Sequence, residues 1–208
     1  MDYCTITPTR DDRPQFLAFC KHQLDRMSEG RPNFIIDYKP RGTFPDLVPR
    51  IQVGIELAKD AGCEYIFIVE NDDYYPIDYL RTKVLDFDFW GCETTTYYNL
   101  RTRSYARYPH KKRSSLFCTG FKISAMDGFH WPSDTSVFLD LEIWDYAVRK
   151  RKRISLDQHN PCLGIKHGIG MCGGRGHKWD MVHKDKDYSY LKKTVDADAF
   201  EFYKSLNL

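Results

Sequence analysis

Hydrophobic positions in the first part of the chain alternate between short continuous runs and helical spacings. Tyr3 to Thr7 is a strand-like run. After the polar loop Pro8-Thr9-Arg10-Asp11-Asp12-Arg13-Pro14, the residues Phe16, Leu17, Phe19, Cys20, Leu24 and Met27 recur at the spacing of one helix face. Pro14 suits the first turn of that helix, Asp12 is placed to cap it, and Gly30 stops it. Asn33 to Ile36 predicts a second strand closing at Asp37. Arg41 to Pro49 reads as a loop with two prolines. Ile51 to Ala61 reads as a helix carried by Ile51, Val53, Ile55, Leu57 and Ala58, with Gly62 as its stop signal. Ile66 to Val69 is a continuous β-branched and aromatic run, the pattern of a strand buried on both faces. This βαβαβ order predicts an α/β fold, a Rossmann-like, mostly parallel sheet flanked by helices.

The pattern then becomes less regular. Pro76 to Leu85 predicts a short helix, Phe87 to Cys92 a strand, and Thr94 to Thr102 a strand or hairpin arm. Ser115 to Ser124 reads as a further strand with Gly120 inside it, Asp140 to Lys150 as a helix, and Arg153 to Leu156 as a short strand. Pro161 to Lys178 holds six glycines and reads as a loop. Ser189 to Leu206 is amphipathic and predicts a helical tail that packs back on the body. The change near Phe87 divides one compact domain, 1–208, into a half at 1–86 and a half at 87–208.

Composition narrows the class. A chain of 208 residues with 42% hydrophobic content suits a single globular domain. No apolar run is long enough to span a bilayer, and Met1-Asp2-Tyr3-Cys4 lacks the basic and then apolar layout of a signal peptide. Seven cysteines, odd in number and scattered, do not form a disulfide framework. These features predict a reducing, cytoplasmic setting (a host cytoplasm if the protein is viral). A net charge of +2 excludes a polyanion binder built on overall charge. Local clusters survive this exclusion: Arg101, Arg103, Arg107, His110, Lys111, Lys112 and Arg113 in one segment, and Arg149 to Arg153 in another.

The candidate chemistry centres on Glu70, Asp72 and Asp73, directly after the buried strand. In open α/β folds the carboxyl ends of parallel strands form the ligand-binding edge. Three anions this close repel one another unless a cation sits between them. A hard divalent ion, Mn2+ or Mg2+, suits oxygen ligands and leaves positions for a diphosphate; the alternative is a solvated acidic turn before Pro76. The stretch His167 to Lys178 is the second informative segment. Its glycines let backbone N–H groups converge on an anion, and Arg175 and Lys178 add charge. Cys162, His167, Cys172 and His177 recur at intervals of five, which admits a zinc knuckle, although the closer Cys pairs of familiar structural sites are absent. Tyr105 and Tyr108 within the basic segment fit base stacking and phosphate contacts, with a solvated basic loop as the alternative.

Taken in order, these landmarks resemble the GT-A glycosyltransferases, in the style of the large family-two group of inverting enzymes. Ile6-Thr7-Pro8-Thr9-Arg10 resembles the nucleotide-facing first loop. Asp37 stands where the family places an aspartate against uracil. Glu70-Asn71-Asp72-Asp73 resembles the Asp-x-Asp-Asp metal motif, with Glu in its first position. Thr119-Gly120-Phe121, Met126-Asp127-Gly128-Phe129 and Leu139 to Trp144 are similar to the acceptor-side segment, although the usual adjacent Glu-Asp is missing. The resemblance implies transfer of a sugar from a nucleoside-diphosphate sugar, UDP-linked in the commonest form, to an acceptor hydroxyl. It implies Asp140 or Glu142 as the base, with Asp140 favoured. It implies donor binding by Pro8, Thr9, Arg10, Asp37, Arg50, Asn71, Arg175 and Lys178, and metal ligation by Glu70, Asp72 and either His167 or His177. The 161–178 loop would close over the donor. A soluble enzyme with a basic acceptor half is similar in that respect to phage enzymes that glycosylate hydroxymethylated pyrimidines in DNA; a saccharide is the other acceptor class. Two further readings are a nucleotidyltransferase of similar layout and a zinc-knuckle nucleic-acid-binding protein.

Overall fold

Strand β3, Tyr65–Ile68, is the element around which the first sheet is built. Tyr65, Phe67 and Val69 enter one apolar cluster with Cys20, Leu24 and Met27 of helix α1 (Pro14–Met27). Ile66 and Ile68 enter a second cluster with Ile51, Ile55 and Ala58 of helix α2 (Leu47–Asp60). Successive side chains of a strand point to opposite faces, so a strand covered on both sides must be apolar at every position. The computed structural model describes residues 2–10, 12–39, 42, 44–81, 85–136, 138–158, 160–169, 181–206 and 208.

Parallel to β3 runs β1 (Tyr3–Pro8), which pairs on its other side with β2 (Asn33–Ile36), also parallel. Beyond β3 lies β7 (Gly120–Lys122), antiparallel to it, then β4 (Phe89–Cys92) and β8 (Ile154–Asp157). The sheet order is β2-β1-β3-β7-β4-β8, a mixed sheet. Gly120 is required by close approach: a Cβ there would stand 2.6 Å from the Phe67 ring. A second sheet has the order β10-β6-β5-β9, formed by β5 (Thr94–Asn99), β6 (Ser104–Pro109), β9 (Leu163–Lys166) and β10 (His183–Lys184). Helices α3 (Leu139–Arg149), α4 (Ser189–Thr194) and α5 (Ala197–Ser205) complete the fold, the last two packing against Phe16, Tyr74, Tyr98 and Ile165.

Several sequence expectations are corrected. Helix α1 is entered through Arg13, and Asp12 makes no capping bond. Helix α2 begins at Leu47, so Pro49 lies in its first turn, where the missing N–H costs nothing. Its buried face is Val48, Arg50, Ile51, Gly54, Ile55 and Ala58, while Val53 and Leu57 are exposed. Among the described residues, Pro76 to Leu85 forms turns rather than a helix; Tyr75, Tyr79 and Leu80 are pulled singly into the core. Only Gly120–Lys122 of the 115–124 segment is a strand. Two 3₁₀ turns flank it; around the first, Ser114 and Thr119 donate their hydroxyls to the carbonyls of Cys118 and Ser115. The basic segment is partly the strand β6 rather than a loop. Likewise, 161–178 contains β9, and its residues 170–178 lie outside the described residues. The tail is two helices, interrupted where Asp196 caps α5 by accepting from Ala199 N at 2.9 Å.

Candidate active site

The carboxyl ends of β1 and β3 are neighbours in the sheet, which brings Pro8, Thr9 and Arg10 beside Glu70 to Asp73. Asn71 Nδ2 donates to Thr9 Oγ1 at 2.7 Å and ties the two loops together. Buried Gln23 of α1 donates to the Asp73 carbonyl at 3.0 Å and accepts from Tyr75 N at 2.8 Å. Tyr75 turns back under the acidic loop, where its hydroxyl accepts from Glu70 N at 2.9 Å. The acidic residues therefore sit on a turn with little freedom. They line a cavity of about 120 Å3 together with Pro8, Thr9, Arg10, Arg13, Asp46, Arg50 and Lys166.

The three carboxylates have different environments. Asp73 is buried, and its Oδ1 accepts from Ile165 N of β9 at 2.6 Å. Burial, and then Asp72 and Glu70, push its pKa well above the ordinary value. Burial alone would raise Asp72 too, but the Arg13 guanidinium and the His167 hydrogen bond hold it well below the usual carboxylate range. Its Oδ2 receives Arg13 and, at 2.8 Å, His167 Nε2. Glu70 is half-buried, and burial with the nearby Asp72 pushes it up to about 7.

His167 is buried directly after β9, with its ring 4.2 Å from that of Phe16. Lys166, the last residue of β9, lines the cavity and sets its ammonium 4.7 Å over the Tyr97 ring. Arg10 and Arg50 spend their donors on protein. Arg10 reaches the Phe44 and Gly42 carbonyls at 2.9 and 3.1 Å and Asp46 Oδ1 at 3.0 Å. Arg50 reaches the Ile36 and Tyr38 carbonyls at 2.8 Å each and Asp46 Oδ2 at 2.7 Å. Asp46 thus bridges two arginines that pin the chain following β2 across the cavity. Among the described residues, three buried polar atoms of its lining have no protein hydrogen bond: Asn71 Oδ1, Arg50 Nε and Arg13 Nε.

The predicted residues divide accordingly. Pro8, Thr9, Arg10, Arg50, Glu70, Asn71 and Asp72 line one cavity, and His167 reaches Asp72. Asp37 is exposed and is not part of the lining, and Asp46 stands there instead. Asp140 is the second residue of α3 and not its cap, which is Phe138. Arg113 holds it at 3.0 Å, and it is near enough to Glu70 to raise that residue's pKa. Glu142 is exposed and lines a separate cavity of about 350 Å3 with Phe129, His130 and Tyr146. Arg175, Lys178 and His177 lie outside the described residues. Arg13 and Lys166 were missed in sequence. The signals are a second arginine in the first loop and a lysine next to His167, and in sequence neither differs from an ordinary charged loop residue. Of the zinc-knuckle set, Cys162 is buried in the core at one end of β9 and His167 lies past the other end. Five residues of extended chain separate them by roughly 16 Å, so these two do not share an ion; Cys172 and His177 are outside the described residues.

A carboxylate oxygen and an imidazole nitrogen converging at 2.8 Å, with Glu70 on the same wall, suit a divalent cation. Among the described residues no group of three or more His, Cys, Asp or Glu side chains is placed to hold a metal ion by itself. The set therefore fits a cation that takes its other ligands from a diphosphate, as hard cations at phosphate sites do.

Beside Asp140, His110 Nε2 lies 2.9 Å from Thr95 Oγ1 and 3.1 Å from Ser115 Oγ, and Ser115 Oγ lies 2.8 Å from the Tyr97 hydroxyl. Burial, and then Arg113, lower the His110 pKa from 6.5 to about 4. Between these values the folded chain binds fewer protons than the unfolded one, so stability falls as pH falls from 6.5 towards 4. The His110→Gln variant is expected to show a shallower drop in melting temperature over that window by calorimetry. Superimposable pH profiles would remove His110 as a cause.

No protein-family profile matches the sequence, and no curated protein matches it. Solved structures do. S. aureus TarS aligns with a TM-score of 0.56 at 10% identity, over 79% of this chain and 37% of TarS. TarS 1–349 in complex with UDP-GlcNAc aligns at 0.54 and 11% identity, over 80% of this chain and 59% of that one. A Drosophila β1,4-galactosyltransferase 7 mutant, complexed with manganese, UDP-Gal and xylobiose, aligns at 0.53 and 13% identity, over 95% of this chain and 82% of that one. The chain thus spans little more than a third of the length of TarS. At these identities the likeness establishes the fold, and the fold is GT-A.

Proposed function

We propose that the chain is a metal-dependent, inverting glycosyltransferase that moves a sugar from a UDP-sugar to an acceptor hydroxyl. The observation that carries this reading is the convergence of Asp72 and His167 beside Glu70 at the carboxyl ends of β1 and β3, with Asp140 near enough to be felt there. The UDP-sugars bound by TarS and by the galactosyltransferase support uridine as the donor nucleotide. Mn2+ or Mg2+, when bound, supplies charge neutralisation at the leaving diphosphate. Asp72 and His167 hold that ion, with Glu70 as a further ligand. Asn71 Oδ1, buried and unpartnered, accepts from a nucleoside donor group. Lys166 faces the phosphates. Asp140, kept oriented by Arg113, takes the proton of the acceptor hydroxyl as the acceptor oxygen bonds to the anomeric carbon and the bond to the diphosphate breaks on the opposite face. Arg175 and Lys178 as diphosphate contacts, and His177 as the alternative ligand, belong to the same proposal.

The 1–86 half carries the nucleotide and the 87–208 half the acceptor, with Lys166 and His167 reaching across. The acceptor is a saccharide: the second cavity presents Phe129 and Tyr146 as ring surfaces with Glu142 and His130 as polar groups, the mix that sugars bind. A nucleic-acid acceptor, hydroxymethylated DNA included, is the competing outcome and would engage the exposed Arg107, Lys111 and Lys112. The test is a thermal-shift series with UDP and UDP-sugars, in Mn2+ and in chelator. A ligand at a hundred times its dissociation constant adds about 2.7 kcal/mol. A Mn2+-dependent shift with UDP is expected, followed by release of UDP with a saccharide acceptor. Release of pyrophosphate would make the chain a nucleotidyltransferase, and no shift with any nucleotide would overturn the reading.

A further inference from the structure

Arg13 occupies the position against Asp72 that a cation would take. It is the residue that enters α1, outside the helix proper, and its side chain is mostly buried. One terminal nitrogen donates to Asp72 Oδ2 and lies 3.5 Å from His167 Nε2; its Nε faces Asp12 Oδ1 at 3.5 Å without a hydrogen bond. The imidazole is committed in the same sense. Ile169 N donates to His167 Nδ1 at 3.2 Å, so Nδ1 is the unprotonated nitrogen and Nε2 carries the hydrogen that goes to Asp72. Asp72 Oδ2 is therefore occupied by two N–H donors, and His167 Nε2, a donor in this tautomer, is free for a cation only once its hydrogen has moved to Nδ1 or to solvent. A divalent ion and a guanidinium on the same Asp72 oxygen repel each other, so the ion joins Asp72 Oδ2 as Arg13 leaves it.

The neighbouring cations show where the displaced charge goes. The terminal nitrogens of Arg10 and Arg50 are held by carbonyls and Asp46, so Arg13 and Lys166 are the positive groups on this wall best placed for a diphosphate to recruit. We propose that Arg13 is the counter-ion of Asp72 in the metal-free protein and that it transfers to the diphosphate when the divalent ion enters. The ion and the nucleotide then bind as a coupled pair, since each relieves the charge that opposes the other. This inference rests on reading the cavity as a diphosphate and cation site.

Mn2+ binding followed by loss of the free-ion electron paramagnetic resonance signal tests it without reference to turnover. Wild-type protein is expected to take up Mn2+ weakly alone and at least tenfold more tightly with UDP. Arg13→Met is expected to bind Mn2+ alone at least tenfold more tightly than wild type, with the UDP enhancement reduced; by linkage, Mn2+ must likewise enhance UDP less in the variant. Arg13→Gln keeps a donor for Asp72 without the charge and should behave the same way if the Met variant folds poorly. Mn2+ affinity in either folded variant equal to or weaker than that of wild type, with UDP enhancement intact, would overturn the exchange while leaving the cation site standing. Absence of Mn2+ uptake in all proteins, with and without UDP, would overturn the cation site itself.

Discussion

Asp72→Asn is expected to lower kcat/KM by about two to three orders of magnitude, the scale seen when one preorganised electrostatic contact to a developing charge is removed. It also removes the anion from a buried pair and strands Arg13. Breaking such a pair from one side costs about 3–5 kcal/mol, so the variant should melt at a clearly lower temperature. The double variant Arg13→Met with Asp72→Asn separates the two effects. It should regain most of the lost stability, because no buried charge is left over, and recover none of the activity. Chemical denaturation and steady-state kinetics on the same four proteins form the cycle. Full activity in Asp72→Asn with Mn2+ present would remove Asp72 from the reaction.

Asp140→Asn is expected to lower kcat by about 10²- to 10⁴-fold, the usual contribution of a general base, while leaving the UDP thermal shift of the wild type in place. The carboxyl must be ionised to accept a proton. Burial raises its pKa above the ordinary 3.8, and Arg113 opposes the rise. The wild-type kcat should therefore fall as pH drops through a value above 3.8, and Arg113→Met should move that fall to higher pH. Glu142→Gln, in the acceptor cavity, should raise the KM for the acceptor and leave kcat unchanged; a large loss of kcat there instead would transfer the base role to Glu142.

The first sheet was legible because its central strand is covered on both sides, so burial left a mark at every position from Tyr65 to Val69. The acidic turn was legible because chemistry needs its residues consecutive. What escaped depends on distance in space. Arg13 and Lys166 are ordinary charged residues in sequence, and they become significant only where β1, β3 and β9 end together. Asp37 and Asp46 both follow β2, and nothing in one dimension says that Arg10 and Arg50 will draw the second into the cavity. Pro76 to Leu85 has helical spacing because Tyr79 and Leu80 are core residues, but they reach the core from turns.

Asp72 and Asp73 are adjacent, yet they serve different ends. Asp73 accepts from the β9 backbone, and Tyr74 exchanges two backbone hydrogen bonds with Leu163, at 3.0 and 3.1 Å. The acidic turn is thereby a stitch joining the two sheets, and Asp72 and His167 sit on either side of it. The spacing between the two ligand atoms acts as a gauge of the relation between the sheets. Any shear between them is delivered first to the place where the metal would bind, so the site and the seam of the fold are held in register by the same few bonds.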